Sequence, residues 1–188
     1  MNSKFKVIIV SFVVVFFFSA VSCTASAQTL NSAEALKDYL DKQPANSPDK
    51  PIKVTMNANA SMLEKIAAAI NSAGKYVSLN LSGNAITNIP NSAFYDASTR
   101  KGCATLIAIT IPDSVTSIER EVFIECTNLT SVKFEGTINS GNFDSNYSFP
   151  GDLRAKYLVG GIGTYTRASD SVMLTLNLEF LSQANKVY

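Results

Sequence analysis

The chain has 188 residues, of which 46% are hydrophobic and 16% are charged, a composition that predicts one folded domain and excludes disorder over most of its length. It contains no histidine, which excludes a Ser-His-Asp triad, a Cys-His catalytic pair and any histidine metal site. The formal net charge of +1 provides no basic excess for phosphate groups, so we expect no nucleic-acid partner.

Residues 1–22 have the order of a secretory signal peptide. Lys4 and Lys6 precede an apolar run over 7–18, and small residues follow that run. The run is shorter than the roughly 20 apolar residues that a membrane-spanning helix needs. We therefore predict an exported protein of the cell envelope, located at the outer surface or in the periplasm.

Two cleavage sites compete at the end of this segment. Residues 20–23, Ala-Val-Ser-Cys, resemble a bacterial lipobox in which the thiol of Cys23 becomes lipidated. Residues 25–27, Ala-Ser-Ala, fit an ordinary signal peptidase that cleaves after Ala27. A lipid on Cys23 would give the domain its only expected contact with a membrane.

Residues 30–75 predict N-terminal helices and a capping rung. Apolar residues at helical spacing indicate a helix over about 32–42, and a proline-rich linker follows it. Alternation over 52–56 indicates a strand. A capping box at 61–64 then predicts the start of a second helix, which ends at Gly74.

An internal repeat organises residues 76–135. The pattern that starts at Leu106 recurs 23 positions later at Leu129. A further copy lies upstream around Leu79, with an insertion of six residues after Phe94. A period in the low twenties that starts with spaced leucine-like residues is typical of leucine-rich solenoids.

Alternation within each repeat gives the predicted fold class. Leu79, Ile109 and Val132 fall on the buried side of three short strands, and their polar neighbours face water. Successive repeats pair these strands side by side. The prediction is an α/β repeat fold: a short leucine-rich-repeat solenoid with a parallel β-sheet on its concave face and an N-terminal helical cap.

Residues 136–188 lack the rhythm of the repeats and predict a loop, a hairpin and a strand. Asn, Ser and Gly are frequent over 136–151, which indicates a long loop. The Gly-Gly-Ile-Gly run predicts the turn of a hairpin within 153–167, and alternation over 171–181 indicates a strand. A shifted reading frame is an alternative origin of residues 169–188.

The repeat also resembles a known family. Residues 109–134, ITIPDSVTSIEREVFIECTNLTSVKF, are similar to the BspA-type leucine-rich repeat, and the wider frame over about 36–169 resembles the treponemal surface members of that group. Glu119 stands where the family usually has glycine, and Val122 where it has alanine. The resemblance implies an exported envelope protein that binds a protein partner, with adhesion to host extracellular matrix or to other bacteria.

The candidate binding residues are the exposed positions of the predicted strands. A solenoid concentrates such side chains on a rigid sheet, where these folds usually bind partners. The alternative is that short polar residues only keep the sheet soluble. The positions are Ser78, Asn80, Ser82, Ala108, Thr110, Ser131, Lys133 and Glu135.

Cys103 and Cys126 occupy equivalent positions in neighbouring repeats. Two buried thiols are the favoured interpretation, and a disulfide between the repeats is the alternative. Two cysteines are too few for a metal site, so we predict neither a metal nor a cofactor. The sequence assigns neither the ligand nor the oligomeric state.

Two other functions remain open. The first is a structural or antigenic envelope paralogue with no dedicated ligand. The second is a carboxylate-dependent hydrolase that uses Glu119 and Glu121, although we predict no catalytic residue and no enzyme. The insertion at 95–102, which carries Arg100 and Lys101, is either a binding edge or a tolerated loop.

Overall fold

The computed structural model of the chain describes residues 28–144 and 148–168. The predicted signal peptide, the lipidation site at Cys23 and the predicted strand at 171–181 therefore lie outside the described residues. Among the helices that the structure describes, none is both long and apolar enough to cross a membrane.

Within the described residues, short strands and three α-helices follow one another along the chain, together with two single turns of 3₁₀-helix, Ala60–Met62 and Ser140–Asn142. In chain order the elements are β1 (Thr29–Leu30), α1 (Ala33–Asp41), β2 (Ile52–Met56), α2 (Leu63–Ala73), β3 (Val77–Asn80), β4 (Asn88–Ile89), β5 (Tyr95–Asp96), β6 (Lys101–Gly102), β7 (Leu106–Ile111), β8 (Ser117–Ile118), β9 (Ser131–Phe134), α3 (Leu153–Gly160) and β10 (Gly163–Thr166).

The main sheet has the strand order β1-β2-β3-β7-β9-β10. The first five strands are parallel to their neighbours, and β10 is antiparallel to β9. Leu79 pairs with Ile109, and Ile109 pairs with Val132, so the three repeats lie in register on neighbouring parallel strands. This register confirms the predicted stacking of repeats.

A second set of contacts stacks the repeats away from the main sheet. Strands β4 and β8 pair in parallel, and an isolated bridge joins Ile118 of β8 to Phe143. The rings of Phe94 and Phe123 stack with centroids 4.8 Å apart, and Phe149 follows at 4.6 Å from Phe123. The core therefore consists of ladders of like side chains that run from unit to unit.

These ladders define three units, which we name after their first strands: the β3 unit (77–105), the β7 unit (106–130) and the β9 unit (131–144 with 148–149). The β9 unit includes most of the segment for which the sequence predicted a long loop. The backbone of the described part of this segment is irregular apart from one 3₁₀ turn and the bridge at Phe143, but Ile138, Phe143 and Phe149 are buried at ladder positions, at a spacing that differs from that of the β7 unit.

The N-terminal helices form where the sequence predicted them. The hydroxyl of Ser32 accepts a hydrogen bond from the amide of Ala35 and caps α1, which packs against α2. Gly74 ends α2 in the left-handed conformation, at φ +60°. The predicted capping box does not form, because the Ser61 hydroxyl donates to the side chain of Asn59 and a 3₁₀ turn leads into α2.

The predicted hairpin within 153–167 does not form, because its first half is the helix α3. Leu153 and Tyr157, one helical turn apart, bury their side chains. The Tyr157 hydroxyl accepts a hydrogen bond from the amide of Ile138 at 2.6 Å and donates one to the carbonyl of Gly136 at 3.1 Å. These contacts hold α3 against the β9 unit, and β10 then pairs with β9.

Candidate binding surface on the parallel sheet

The candidate residues on the strands converge on one side of the main sheet. Ser78 pairs with Ala108, which pairs with Ser131, and these residues form one row across three strands. Asn80, Thr110 and Lys133 form a second row in the same way. Their neighbours along each strand are buried, so the two rows face solvent on a common side, which we call the polar face.

The polar face is wider than the sequence analysis predicted. Lys53 lies opposite Ser78, and Thr55 lies opposite Asn80. At the other edge the antiparallel strand β10 brings two more threonines into register with β9. The four additional residues are Lys53, Thr55, Thr164 and Thr166. The alternation over 52–56 already indicated the first two, whereas those of β10 depend on a pairing that sequence periodicity does not reveal.

Besides the threonines at its two edges, three central hydroxyls of this face are available for a ligand. Ser78, Thr110 and Ser131 are half-buried, and none of their side chains hydrogen-bonds to another residue in the described part of the chain. By contrast, the side-chain oxygen of Asn80 accepts a hydrogen bond from the amide of Ser82 at 2.9 Å and so holds its own turn. Asn80 and Ser82 therefore contribute to the shape of the face.

Lys133 and Glu135 form an ion pair of 2.8 Å beside these hydroxyls. The hydrogen bond from Lys133 holds the pKa of Glu135 below its usual value, against the opposing effect of partial burial, and Ser82 adds a weaker contribution. Both charges partly neutralise each other, so the polar face offers mainly uncharged hydrogen-bond donors and acceptors.

The carboxylates considered for hydrolysis have structural partners. Glu119 accepts hydrogen bonds from the side chain of Asn88 at 2.7 Å and from the amide of Asn91 at 2.8 Å, which ties the β7 unit to the β3 unit. Glu121 pairs with Arg120 at 3.3 Å. Within the described residues, no group of three or more metal-ligating side chains exists either.

The two cysteines are buried free thiols, as the favoured interpretation predicted. The thiol of Cys103 donates to the carbonyl of Ala67, and that of Cys126 donates to the carbonyl of Phe94. Burial raises the pKa of the Cys103 thiol well above its usual value and that of Cys126 to about 12. Both thiols stay protonated at neutral pH, which argues for packing rather than for chemistry.

Comparison with known proteins supports the repeat. A family model described as a BspA type leucine rich repeat region (6 copies) matches residues 87–149. The match ends at Phe149, the last ring of the aromatic ladder. No curated protein and no solved structure matches the chain.

Proposed function

We propose that the chain is an exported cell-envelope protein that binds a protein partner through its polar face. Residues 87–149 match the model of the BspA-type leucine-rich repeat region, and such repeats generally mediate contacts between proteins. The partner class is host extracellular matrix or the surface of another bacterium. A lipid on Cys23, in the lipobox-like segment 20–23, holds the domain at the membrane.

The observation that carries this proposal is the register of the main sheet. Pairing of β3, β7 and β9 aligns Ser78 with Ser131 and Asn80 with Lys133 on one rigid surface. The backbone of this surface is fixed by its ladder hydrogen bonds, so a partner loses little binding free energy to ordering it. The hydroxyl of Thr110 then lies at its centre without an internal partner.

The composition of the face sets the expected strength of binding. High-affinity contacts in protein interfaces are enriched in Trp, Tyr and Arg. The polar face instead consists of small hydroxyl and amide side chains with two lysines and Glu135. We therefore expect dissociation constants on the order of micromolar, with specificity set by hydrogen bonds.

The test compares two matched double variants in binding to immobilised fibronectin, laminin and collagen. Thr110→Arg with Ser131→Glu places bulky charges on the polar face, disrupts no side-chain hydrogen bond and leaves the net charge unchanged. Thr87→Arg with Ala85→Glu makes the same change at exposed positions that precede β4, and it too disrupts no side-chain hydrogen bond of the described residues. We expect the first variant to lose at least about tenfold in affinity, or 1.4 kcal/mol, and the second to bind as wild type.

Two results would contradict the proposal. Equal binding by both variants would remove the polar face from the interface. If the protein binds neither the three matrix proteins nor bacterial cells saturably, the structural or antigenic alternative is favoured.

The export step has its own test. Intact mass of the protein recovered from the bacterial envelope distinguishes a diacylglycerol on Cys23 from cleavage after Ala27. We expect the lipidated mass, and we expect Cys23→Ala to release the protein into the soluble fraction. A mass that begins at residue 28 would contradict the lipid anchor without affecting the binding proposal.

A further inference from the structure

A groove lies beside α2 and is separate from the polar face. The six-residue insertion of the β3 unit forms the β5–β6 hairpin, and this hairpin, α2 and the adjoining turns of the β7 unit enclose a space of about 820 Å³. None of the polar-face residues in the described part of the chain lines it. A ligand in this groove would therefore not compete for the polar face.

The walls of the groove are fixed before any ligand binds. The side chain of Asn71 on α2 donates a hydrogen bond to the carbonyl of Gly102 at 3.3 Å, which ties the hairpin to the helix. A Cβ on Gly102 would lie 2.3 Å from the backbone of Glu125, so the hairpin packs directly on the β7 unit. Little conformational entropy remains to be lost on binding.

The loop at the tip of the hairpin is held by hydrogen bonds among its own residues. The carboxylate of Asp96 accepts hydrogen bonds from the amides and hydroxyls of Ser98 and Thr99. These hydrogen bonds lower the pKa of Asp96 to about 2. Asp96 is thus saturated by the loop and keeps little capacity for a ligand.

Four charged groups remain along the groove: Glu64 on α2, Glu125 on the β7 unit, and Arg100 and Lys101 on the hairpin. The ion pairs of the described residues all lie elsewhere in the molecule, so these four groups do not pair with one another. With the ionised carboxylate of Asp96, which also lines the groove, three carboxylates face two cations, so the lining carries a formal charge of only −1 and is rich in strong acceptors and donors.

This lining discriminates between classes of ligand. A polyanion would meet Glu64 and Glu125, and a polycation would meet Arg100 and Lys101. A neutral ligand with many hydroxyl groups avoids both repulsions, because hydroxyls donate to carboxylates and accept from guanidinium and ammonium groups. The half-buried ring of Tyr95 adds an apolar surface for the C–H face of a sugar ring.

We propose that the groove between α2 and the β5–β6 hairpin binds a neutral oligosaccharide. Tyr95 packs on a sugar ring, Arg100 and Lys101 donate hydrogen bonds to its oxygens, and Glu64 and Glu125 accept hydrogen bonds from its hydroxyls. This site is independent of the polar face, so the protein is able to hold a glycan and a protein partner together.

The experiment titrates the full-length expressed protein with maltohexaose, cellohexaose and N-acetylchitohexaose, and with an uncharged Gly-Ser hexapeptide as comparator. Isothermal calorimetry and two-dimensional NMR are the readouts. We expect at least one saccharide to saturate with a dissociation constant below about 1 mM, while the peptide does not. Amide shifts should concentrate at 64–71 and 95–105.

Variants assign the effect to the groove. Tyr95→Ala and Arg100→Gln should each weaken saccharide binding by at least about tenfold, and Tyr95→Phe, which keeps the ring, by no more than about twofold. Thr110→Arg with Ser131→Glu, on the polar face, should bind the saccharide as wild type. Circular dichroism checks that each variant is folded.

Three results would overturn the proposal: no saturation by any of the three saccharides, equal binding of the peptide, or unchanged saccharide affinity in the folded Arg100→Gln variant. Loss of matrix binding by the polar-face variant with intact saccharide binding separates this inference from the proposed function.

Discussion

The β7 and β9 units build the same inner surface from different chain lengths. In the β7 unit, Ile118 and Phe123 follow the strand at the spacing of the repeat, and in the β9 unit Phe143 and Phe149 take the same places after a longer stretch of chain. A unit is therefore defined by which side chains it adds to the ladders. The length of its outer turns is free to vary, because those turns face solvent.

We expect the largest loss of stability from a substitution at the centre of the aromatic ladder. Phe123 lies between Phe94 and Phe149, and it is fully buried. We expect Phe123→Ala to lower the free energy of unfolding by about 3–5 kcal/mol in urea titrations. Phe149→Ala, at the more exposed end of the ladder, should cost less. An equal or larger cost at Phe149 would show that the β9 unit, rather than the β7 unit, holds the stack together.

The buried thiols belong to the β3 and β7 units only, and they predict a dependence on pH. The pKa values of both thiols are raised in the folded state, so above the usual thiol pKa unfolding releases protons. The free energy of unfolding therefore falls as the pH rises from about 8 towards the folded pKa, which is about 12 for Cys126. At pH 10, about 1.5 units above the usual thiol pKa, each thiol should cost about 2 kcal/mol relative to pH 7.

Urea titrations from pH 7 to 10 measure this loss, and the double variant Cys103→Ala, Cys126→Ala is the reference, since other groups also titrate there. The wild type should lose more stability than the variant over this range. Parallel pH profiles would contradict the burial of ionisable thiols in both units.

Two glycines, Gly102 in the β3 unit and Gly141 in the β9 unit, differ in how closely other atoms pack around them. A Cβ on Gly102 would lie 2.3 Å from the backbone of the β7 unit, whereas at Gly141 in the β9 unit no atom lies within 4 Å. We expect Gly102→Ala to destabilise by about 1–3 kcal/mol and Gly141→Ala to stay within about 0.5 kcal/mol of wild type. Thermal unfolding followed by circular dichroism is the measurement, and a reversed order would exclude close packing at the hairpin base.

The Tyr157 hydroxyl is one of the contacts that attach α3 to the β9 unit. Tyr157→Phe removes the hydrogen bonds to Ile138 and Gly136 and leaves buried backbone groups without a partner, which should cost about 1–3 kcal/mol. Tyr165→Phe, whose hydroxyl only donates to Gly161 at a partly buried site, is the matched control and should cost less. Faster amide exchange of Ile138 in the first variant is the direct readout.

The smallest effect concerns backbone strain in the β7 unit. Glu121 and its counterpart in the β3 unit, Ser92, both have a positive φ, at +55° and +57°. Glycine relieves this strain, and we expect Glu121→Gly to stabilise by about 0.5 kcal/mol. Glu119→Gly, the residue usual in the similar family, should instead destabilise because it loses the bonds to Asn88 and Asn91. Chemical denaturation that gives both variants the same sign would contradict this contrast.

The sequence alone determined the repeat and its buried face. Period, strand alternation and helical spacing are local properties of the chain, so they predicted β3, β7 and β9, the helices α1 and α2, and the alignment of Thr110 with its neighbours. They also placed the two cysteines at equivalent buried positions.

Only the tertiary structure decided where the irregular segments belong. The β9 unit, the helix α3 and the pairing of β10 depend on contacts between residues far apart in sequence, such as Phe123 with Phe149 and Tyr157 with Gly136. Residues that make such contacts recur at no fixed spacing along the chain, so sequence periodicity does not predict them. The groove beside α2 has the same origin, because its walls come from a helix, an insertion and a turn that meet only when the units stack.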